Sequence, residues 1–323
     1  MKALSIAALL FLAQPLTSAE VQSLDLTWHD AGRNREVPVR IYSAATDRSE
    51  PSAVVIFSHG LGGSREGYGY LGRHWAENGF ISVHPQHVGS DSSIWQNGGI
   101  IEATQPARLV DSAVKRAGDV RFVLDELAKL NAAAGPLQHR FKLDAIGMAG
   151  HSFGANTTLL VSGMTLWYGP GGQQFYDPRL KAALVMSPQA QRVRGQEGFA
   201  TFKLPIFHMT GTEDTTPLRG KRLMPEERLD PYKWITGVDQ CLLVFEGGDH
   251  MVFSGRTREP NAHDAAMQEQ IKRASLAWWK WRLLGDKKAE SWLRETFPAE
   301  LGKLGRFHFK AAENNPAGNA ASK

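Results

Sequence analysis

The sequence predicts an α/β protein: a doubly wound, mostly parallel eight-stranded sheet with helices on both faces. Apolar runs of strand length alternate along the chain with longer segments of helical period. Most of those runs are continuously apolar, as strands covered on both faces must be. Glycine-rich turns follow several of them, where such sheets place their ligands.

The elements can be justified in order. "VQSLDLTW" and "REVPVRIY" alternate apolar and polar residues, which fits two half-buried antiparallel strands at the start. The runs "AVVIFSHG", "FISVHPQH", "LDAIGMAGHS", "KAALVMSP", "LPIFHMTG" and "CLLVFEGG" supply the parallel centre. Between them, "YGYLGRHWAENG" ends in Asn-Gly, a helix stop. "SAVKRAGDVRFVLDELAKLN" lines up Val120, Val123, Leu124, Leu127 and Leu130 on one stripe. "NAHDAAMQEQIKRASLAWWKWRLLG" runs from an Asn cap to Gly285. Its Trp278, Trp279 and Trp281 read as packing residues. Three stretches, 89–111, 163–179 and 215–240, read as long loops.

Composition narrows the class. The 323 residues are 42% hydrophobic and 22% charged, with formal net charge +4, too little to argue for a nucleic-acid partner. Basic stretches such as "RGKRLMPEER" are broken by acids and read as a solvated face. Residues 1–19 carry Lys2, an apolar segment and Thr17-Ser18-Ala19, the pattern of a secretory signal cleaved after Ala19. Export to the periplasm or beyond is therefore expected, with one domain over 20–310 and a disordered tail over 311–323. No later apolar run is long enough to span a membrane. The single cysteine, Cys241, reads as a buried strand residue. A monomer with no cofactor is expected.

The chemistry concentrates at Gly150-His151-Ser152-Phe153-Gly154. This G-x-S-x-G segment joins a strand to a helix, the setting of a nucleophile elbow. A serine hydroxyl needs a base, and the base needs an orienting acid. In this architecture the acid and then the histidine follow the serine along the chain. His250, in "FEGGDHMVF", falls just past a strand, and Asp214, in "FHMTGTEDTTP", just past the preceding one. Glu213 is the nearest rival to Asp214, because strand register is uncertain by a residue. Asp249 adjoins His250 and cannot easily reach its far ring nitrogen. His208 falls inside a strand run and reads as core. The oxyanion donors are expected from the backbone N–H of Phe153 and, in Ser58-His59-Gly60-Leu61-Gly62-Gly63, of Leu61.

These motifs resemble the α/β-hydrolase superfamily over nearly all of Leu24 to Leu284. The segment "FSHGLGGSREGYGYLGRHWAENGFISVHPQHVGSDSS" with "GHSFGAN" is similar to bacterial predicted dienelactone hydrolases and to the platelet-activating factor acetylhydrolase group. The resemblance implies a serine ester hydrolase with Leu61 and Phe153 as oxyanion residues. Two departures matter. Dienelactone hydrolases use a cysteine where this chain has Ser152. The acetylhydrolases place their acid after the sixth strand, where this chain reads "VMSPQA" and has no carboxylate before Glu197.

His84, His87 and Asp91 in "HPQHVGSD" are too few for a zinc site and read as packing or pocket lining. His87 is placed against substrate, as are the loop aromatics Trp95, Trp167 and Tyr168. An alternative for the aromatics is that they pin their loops to the core. Catalysis through Ser152, Asp214 and His250 on a small or polymeric ester is the expected function. Thioester or amide cleavage by the same residues, and a non-catalytic hydrolase-like binding protein, remain alternatives.

Overall fold

The computed structural model describes residues 20–45, 50–96, 98–168, 171–191, 193–218, 221–255 and 261–313. The predicted signal segment lies outside them. Strands β1 (Val21–Asp30) and β2 (Arg35–Ala44) form the antiparallel lead-in that their alternation predicts. Then follow β3 (Ser52–Ser58), α1 (Gly69–Glu77), β4 (Ile81–Pro85), the short α2 (Gly99–Ala103) and the long α3 (Pro106–Ala132). β5 (Phe141–His151) hands over to α4 (Phe153–Val161) at Ser152. A small hairpin, β6 (Leu166–Tyr168) and β7 (Gly171–Gln173), precedes β8 (Leu180–Met186) and β9 (Ile206–Glu213). A second hairpin, β10 (Thr216–Leu218) and β11 (Lys221–Leu223), leads through α5 (Asp230–Trp234) to β12 (Gln240–Asp249). The chain finishes with α6 (Ala262–Leu284), α7 (Lys287–Ser291), α8 (Phe297–Leu301) and β13 (Gly305–Lys310).

The main sheet runs in the order β1-β2-β4-β3-β5-β8-β9-β12-β13. Its centre, from β4 to β12, is parallel, and the outer pairs are antiparallel. It thus has nine strands rather than the expected eight. The extra one, "GRFHFK", is short and half exposed, and pairs antiparallel with β12 from Gln240↔Lys310 to Phe245↔Gly305. With only two aromatics in six residues it gives little periodic signal. The three predicted long loops contain the short elements β6, β7, β10, β11, α2 and α5. Within the tail expected over 311–323, Ala312 N donates to Asp239 Oδ1 and Glu313 N to Thr236 O. Residues 314–323 lie outside the described residues.

Continuous apolar strands imply a core on each face, and two are present. Val54, Ile56, Ile146 and Met148 meet α3 and α4 on one side. Val55, Phe57, Ala145 and Ala149 meet α1 and α6 on the other. The caps of α6 follow the sequence signals: the Asn261 side chain accepts from Asp264 N, and Gly285 closes the helix at φ 70°. Cys241 is fully buried, and burial pushes its thiol up. Trp279 is fully buried over Gly147, where a Cβ would sit 2.6 Å from the indole, and it meets Trp75 edge-on at 6.0 Å.

Trp279→Ala should therefore lower the free energy of unfolding by about 3–5 kcal/mol, the cost of an unfilled aromatic site in a packed core. Urea denaturation checks this, and a loss below about 1 kcal/mol would mean that α6 repacks freely.

Candidate active site at the carboxyl edge of the sheet

The turn between β5 and α4 is the tightest point of the structure. Ser152 has φ 56° and ψ −117°, a conformation that L residues rarely hold. The flanking glycines are there because nothing larger fits. A Cβ at Gly150 would lie 2.2 Å from Gly154 O, and one at Gly154 would lie 1.9 Å from Ser58 O. The strained residue therefore lifts its hydroxyl off the sheet at the N-terminus of α4.

His250 follows β12 and Asp214 follows β9, neighbouring parallel strands whose register shifts between Phe245 and Asp249. At that irregularity a Cβ on Gly211 would meet Gly248 O at 2.1 Å, so small residues let the two strand ends close on each other. The convergence produces an unbroken line. His250 Nδ1 lies 2.8 Å from Asp214 Oδ1, and His250 Nε2 lies 3.0 Å from Ser152 Oγ. Glu213 is exposed, whereas Asp214 is fully buried, so the strand register falls on Asp214. Asp249 instead accepts from Met251 N and Val252 N and caps the following turn. His208 is buried in the core beside Gln240, as its place in a strand implies.

Asp214 sits among groups that the sequence did not reveal. Thr210 Oγ1 donates to Oδ2 at 2.8 Å, and Arg228 Nε lies 3.2 Å from Oδ1. Arg228 also donates to Ser187 O and Thr216 Oγ1. Burial pushes the Asp214 carboxyl up, but the His250 hydrogen bond and the Arg228 charge outweigh it and hold the group at about 2. The "RGKRLMPEER" segment is thus misread at its last residue: Arg228 is 1% exposed, a buried counter-ion rather than part of a solvated face. A basic residue near acidic ones looks the same in sequence whether it pairs with solvent or folds inward.

The residues of the two predicted oxyanion donors, Leu61 and Phe153, line the same cleft as Ser152. Among the described residues, neither the Leu61 N–H nor the Phe153 N–H has a backbone acceptor, while Gly62 N donates to Ser90 O and Gly63 N to Gly60 O. Behind this loop lies Arg116, fully buried and unmarked by any motif. Its one sequence signal is position, since it extends the apolar stripe of α3 by one turn from Val120.

An open cleft of about 750 Å³ surrounds Ser152 and His250, lined by Leu61, Tyr68, Trp95, Ile100, Leu109 and Met251. Trp95 is a wall of that cleft, with Nε1 donating to Gly62 O at 3.0 Å. Tyr68 also reaches the ring of buried His151, 2.7 Å from its Nδ1. The expectation for His87 is corrected. It is fully buried, with Nε2 2.7 Å from Ser58 Oγ and Nδ1 3.0 Å from Asp119 Oδ2. Lying at a strand end on the right edge did not bring it to the surface, because its side chain turns under the 58–63 loop. Ser58, His87 and Asp119 repeat the residue types of the Ser152 line, but all three are sealed from solvent. His84 faces Ser82 and Gly67 O instead, away from His87. Trp167 and Tyr168 lie on β6 and are not among the residues lining the cleft. Arg194 covers the Trp167 ring at 4.6 Å, so that tryptophan pins its hairpin. A second hollow of about 770 Å³ around Trp234 contains no serine or histidine.

Sheet, elbow and edge-facing cleft give the chain an α/β-hydrolase fold, in keeping with a hydrolytic enzyme. Residues 20–99 match a model of the family described as platelet-activating factor acetylhydrolase, isoform II, a serine esterase family. The matched region runs from β1 past β4 and includes Leu61. It bears out the resemblance seen in the sequence motifs and ends before Ser152. A comparison with curated proteins returns no match.

The low value at Asp214 has a consequence for stability. A carboxyl lowered on folding stabilises the fold above its unfolded value near 4, and that contribution is lost as pH falls through about 2. The gap in unfolding free energy between wild type and Asp214→Asn should narrow by about 2 kcal/mol from pH 5 to pH 2. Denaturant titrations at the two pH values check this; a constant gap would mean that Asp214 is not held ionised by its neighbours.

Proposed function

We propose that the chain is an exported serine carboxylester hydrolase, acting in the periplasm or outside the cell through an acyl-enzyme. The observation that carries this is the continuous hydrogen-bonded line from Asp214 through His250 to Ser152, ending at an open cleft. Ser152 Oγ attacks the ester carbonyl, and its proton passes to His250 Nε2. Asp214 remains ionised, keeps the Nδ1–H of His250 directed at itself and stabilises the imidazolium. The N–H groups of Leu61 and Phe153 receive the developing oxyanion. As the tetrahedral intermediate collapses, His250 Nε2–H protonates the departing alkoxide. A water molecule then gives its proton to His250 and attacks the acyl carbon, releasing the acid and restoring Ser152.

The apolar wall of Trp95, Ile100 and Leu109 suits the acyl portion or the body of an aromatic ester. Among the described residues a single short 3₁₀ turn, Gln196–Phe199, stands between β8 and β9 and the cleft is open, which suits small or extended ester substrates.

A fluorophosphonate probe should label Ser152 of wild type, located by mass spectrometry, and fail to label Ser152→Ala. On matched p-nitrophenyl ester, thioester and anilide substrates the ester should turn over fastest. Ser152→Ala and His250→Ala should each lower kcat by at least about 10⁴-fold. Absence of Ser152 labelling would leave a hydrolase-like binding protein, and faster thioester or anilide turnover would reassign the bond cleaved.

A further inference from the structure

The proposed reaction requires the Leu61 N–H to be held in place while a glycine-rich loop carries it, and Arg116 is built to do this. Arg116 lies on α3 with no exposed surface and no carboxylate within ion-pair distance among the described residues. Its guanidinium is spent on backbone instead. Nη1 donates to His59 O at 2.6 Å, and Nη2 donates to Gly60 O at 3.3 Å and Ser90 O at 3.1 Å. Nε donates to Ser90 Oγ at 2.8 Å. The same plane lies over the Phe153 ring, 4.5 Å from its centre.

Among these partners Phe153 carries one oxyanion donor and Gly60 adjoins the other, while His59 and Ser90 hold the same loop. Gly60 O belongs to the same peptide group as the Leu61 N–H. A cation bonded to that carbonyl draws electron density toward it and strengthens the N–H on the opposite side of the peptide. Ser90 O also accepts from Gly62 N at 3.0 Å, so one carbonyl ties the far side of the loop to the same guanidinium. His59 assists: its Nδ1 is 2.7 Å from Gly60 O, and its Nε2 accepts from His87 N. Burial and the charge of neighbouring Arg116 hold His59 well below the usual imidazole range, so it acts here as a neutral donor. Burial lowers Arg116 itself to about 9, with Asp119 and Asp91 opposing, which leaves it charged at neutral pH.

A buried cation paired with carbonyls and one hydroxyl rather than a carboxylate is costly, and an apolar residue of similar length would fill the same space. The planar five-donor fork is what neither an apolar residue nor lysine supplies. We infer that Arg116 is the positioning residue of the oxyanion hole, locking the Leu61 and Phe153 donors in register and polarising the Leu61 N–H through the Gly60 carbonyl. This rests on the serine-hydrolase function proposed above.

The test uses Arg116→Lys and Arg116→Met in the full chain, with active sites counted by fluorophosphonate titration and turnover expressed per titrated site. Both variants should lose about 10- to 100-fold in kcat per site, part of the 10²–10³ that deletion of a whole donor costs, while KM stays within about threefold. The acid limb of the pH profile should keep its position, because the His250 line is untouched. A merely structural role would instead lower the number of titratable sites and leave kcat per site unchanged, which would overturn the inference. If neither variant folds, Ser90→Ala decides: removing the Nε acceptor should lower kcat per site by about threefold, and wild-type turnover there overturns it. Failure of wild type itself to label at Ser152 would remove the hydrolase function and this inference together, a result distinct from either.

Discussion

The backbone of Gly154 lies so close to the carbonyl of Ser58 that a single added carbon would overlap it. That contact joins the start of α4 to the end of β3, and the rest of the site hangs from it. It forces Ser152 into a left-handed, strained conformation, because the chain must reverse from strand to helix without side chains in the way. It also brings the 58–63 loop against the serine, where a Cβ at Gly60 would lie 3.5 Å from Ser152 Cβ. The elbow is therefore a constraint of steric origin whose result is electrostatic.

The electrostatic result depends on charges buried beneath the cleft. Asp214 with Arg228 is an ion pair shut off from water, and buried Asp119 pairs with Arg35, which stays partly exposed. Such pairs add little to stability, since desolvation consumes most of their attraction. Their value here is direction. Asp214 is gripped by Thr210, Arg228 and His250, so its two oxygens have fixed partners and the imidazole has one orientation. Asp119 does the same for His87, which is held neutral at about 4, mainly by burial and by the charge of Arg116. The site thus rests on two layers: groups that face the cleft, and a buried polar layer that cannot reach substrate and fixes those that can.

How much of this was legible in the sequence follows from the range of each interaction. The strands of the parallel centre were legible because both of their faces are buried, which leaves an uninterrupted apolar run. Ser152 was legible because the steric demand on Gly150 and Gly154 is local. His250 and Asp214 were legible as positions at strand ends, and burial of Asp214 separated it from exposed Glu213. Arg116 and Arg228 were not legible, because their partners are carbonyls and carboxylates set by the tertiary fold; Arg116 and His59 stand 57 residues apart. One signal was available and passed over: Arg116 and Asp119 interrupt the apolar stripe of α3 at positions that must face the sheet. His87 was misplaced because a strand end fixes where a residue sits but not which way its side chain turns.

The most direct test is the crystal structure of the protein after reaction with a fluorophosphonate, since the phosphoryl oxygen of that adduct occupies the place of the transition-state oxyanion. The oxygen should lie about 2.7–3.1 Å from both Leu61 N and Phe153 N, with phosphorus bonded to Ser152 Oγ and His250 within hydrogen-bonding reach. A phosphoryl oxygen turned to solvent, or a phosphonate bonded elsewhere, would contradict the account.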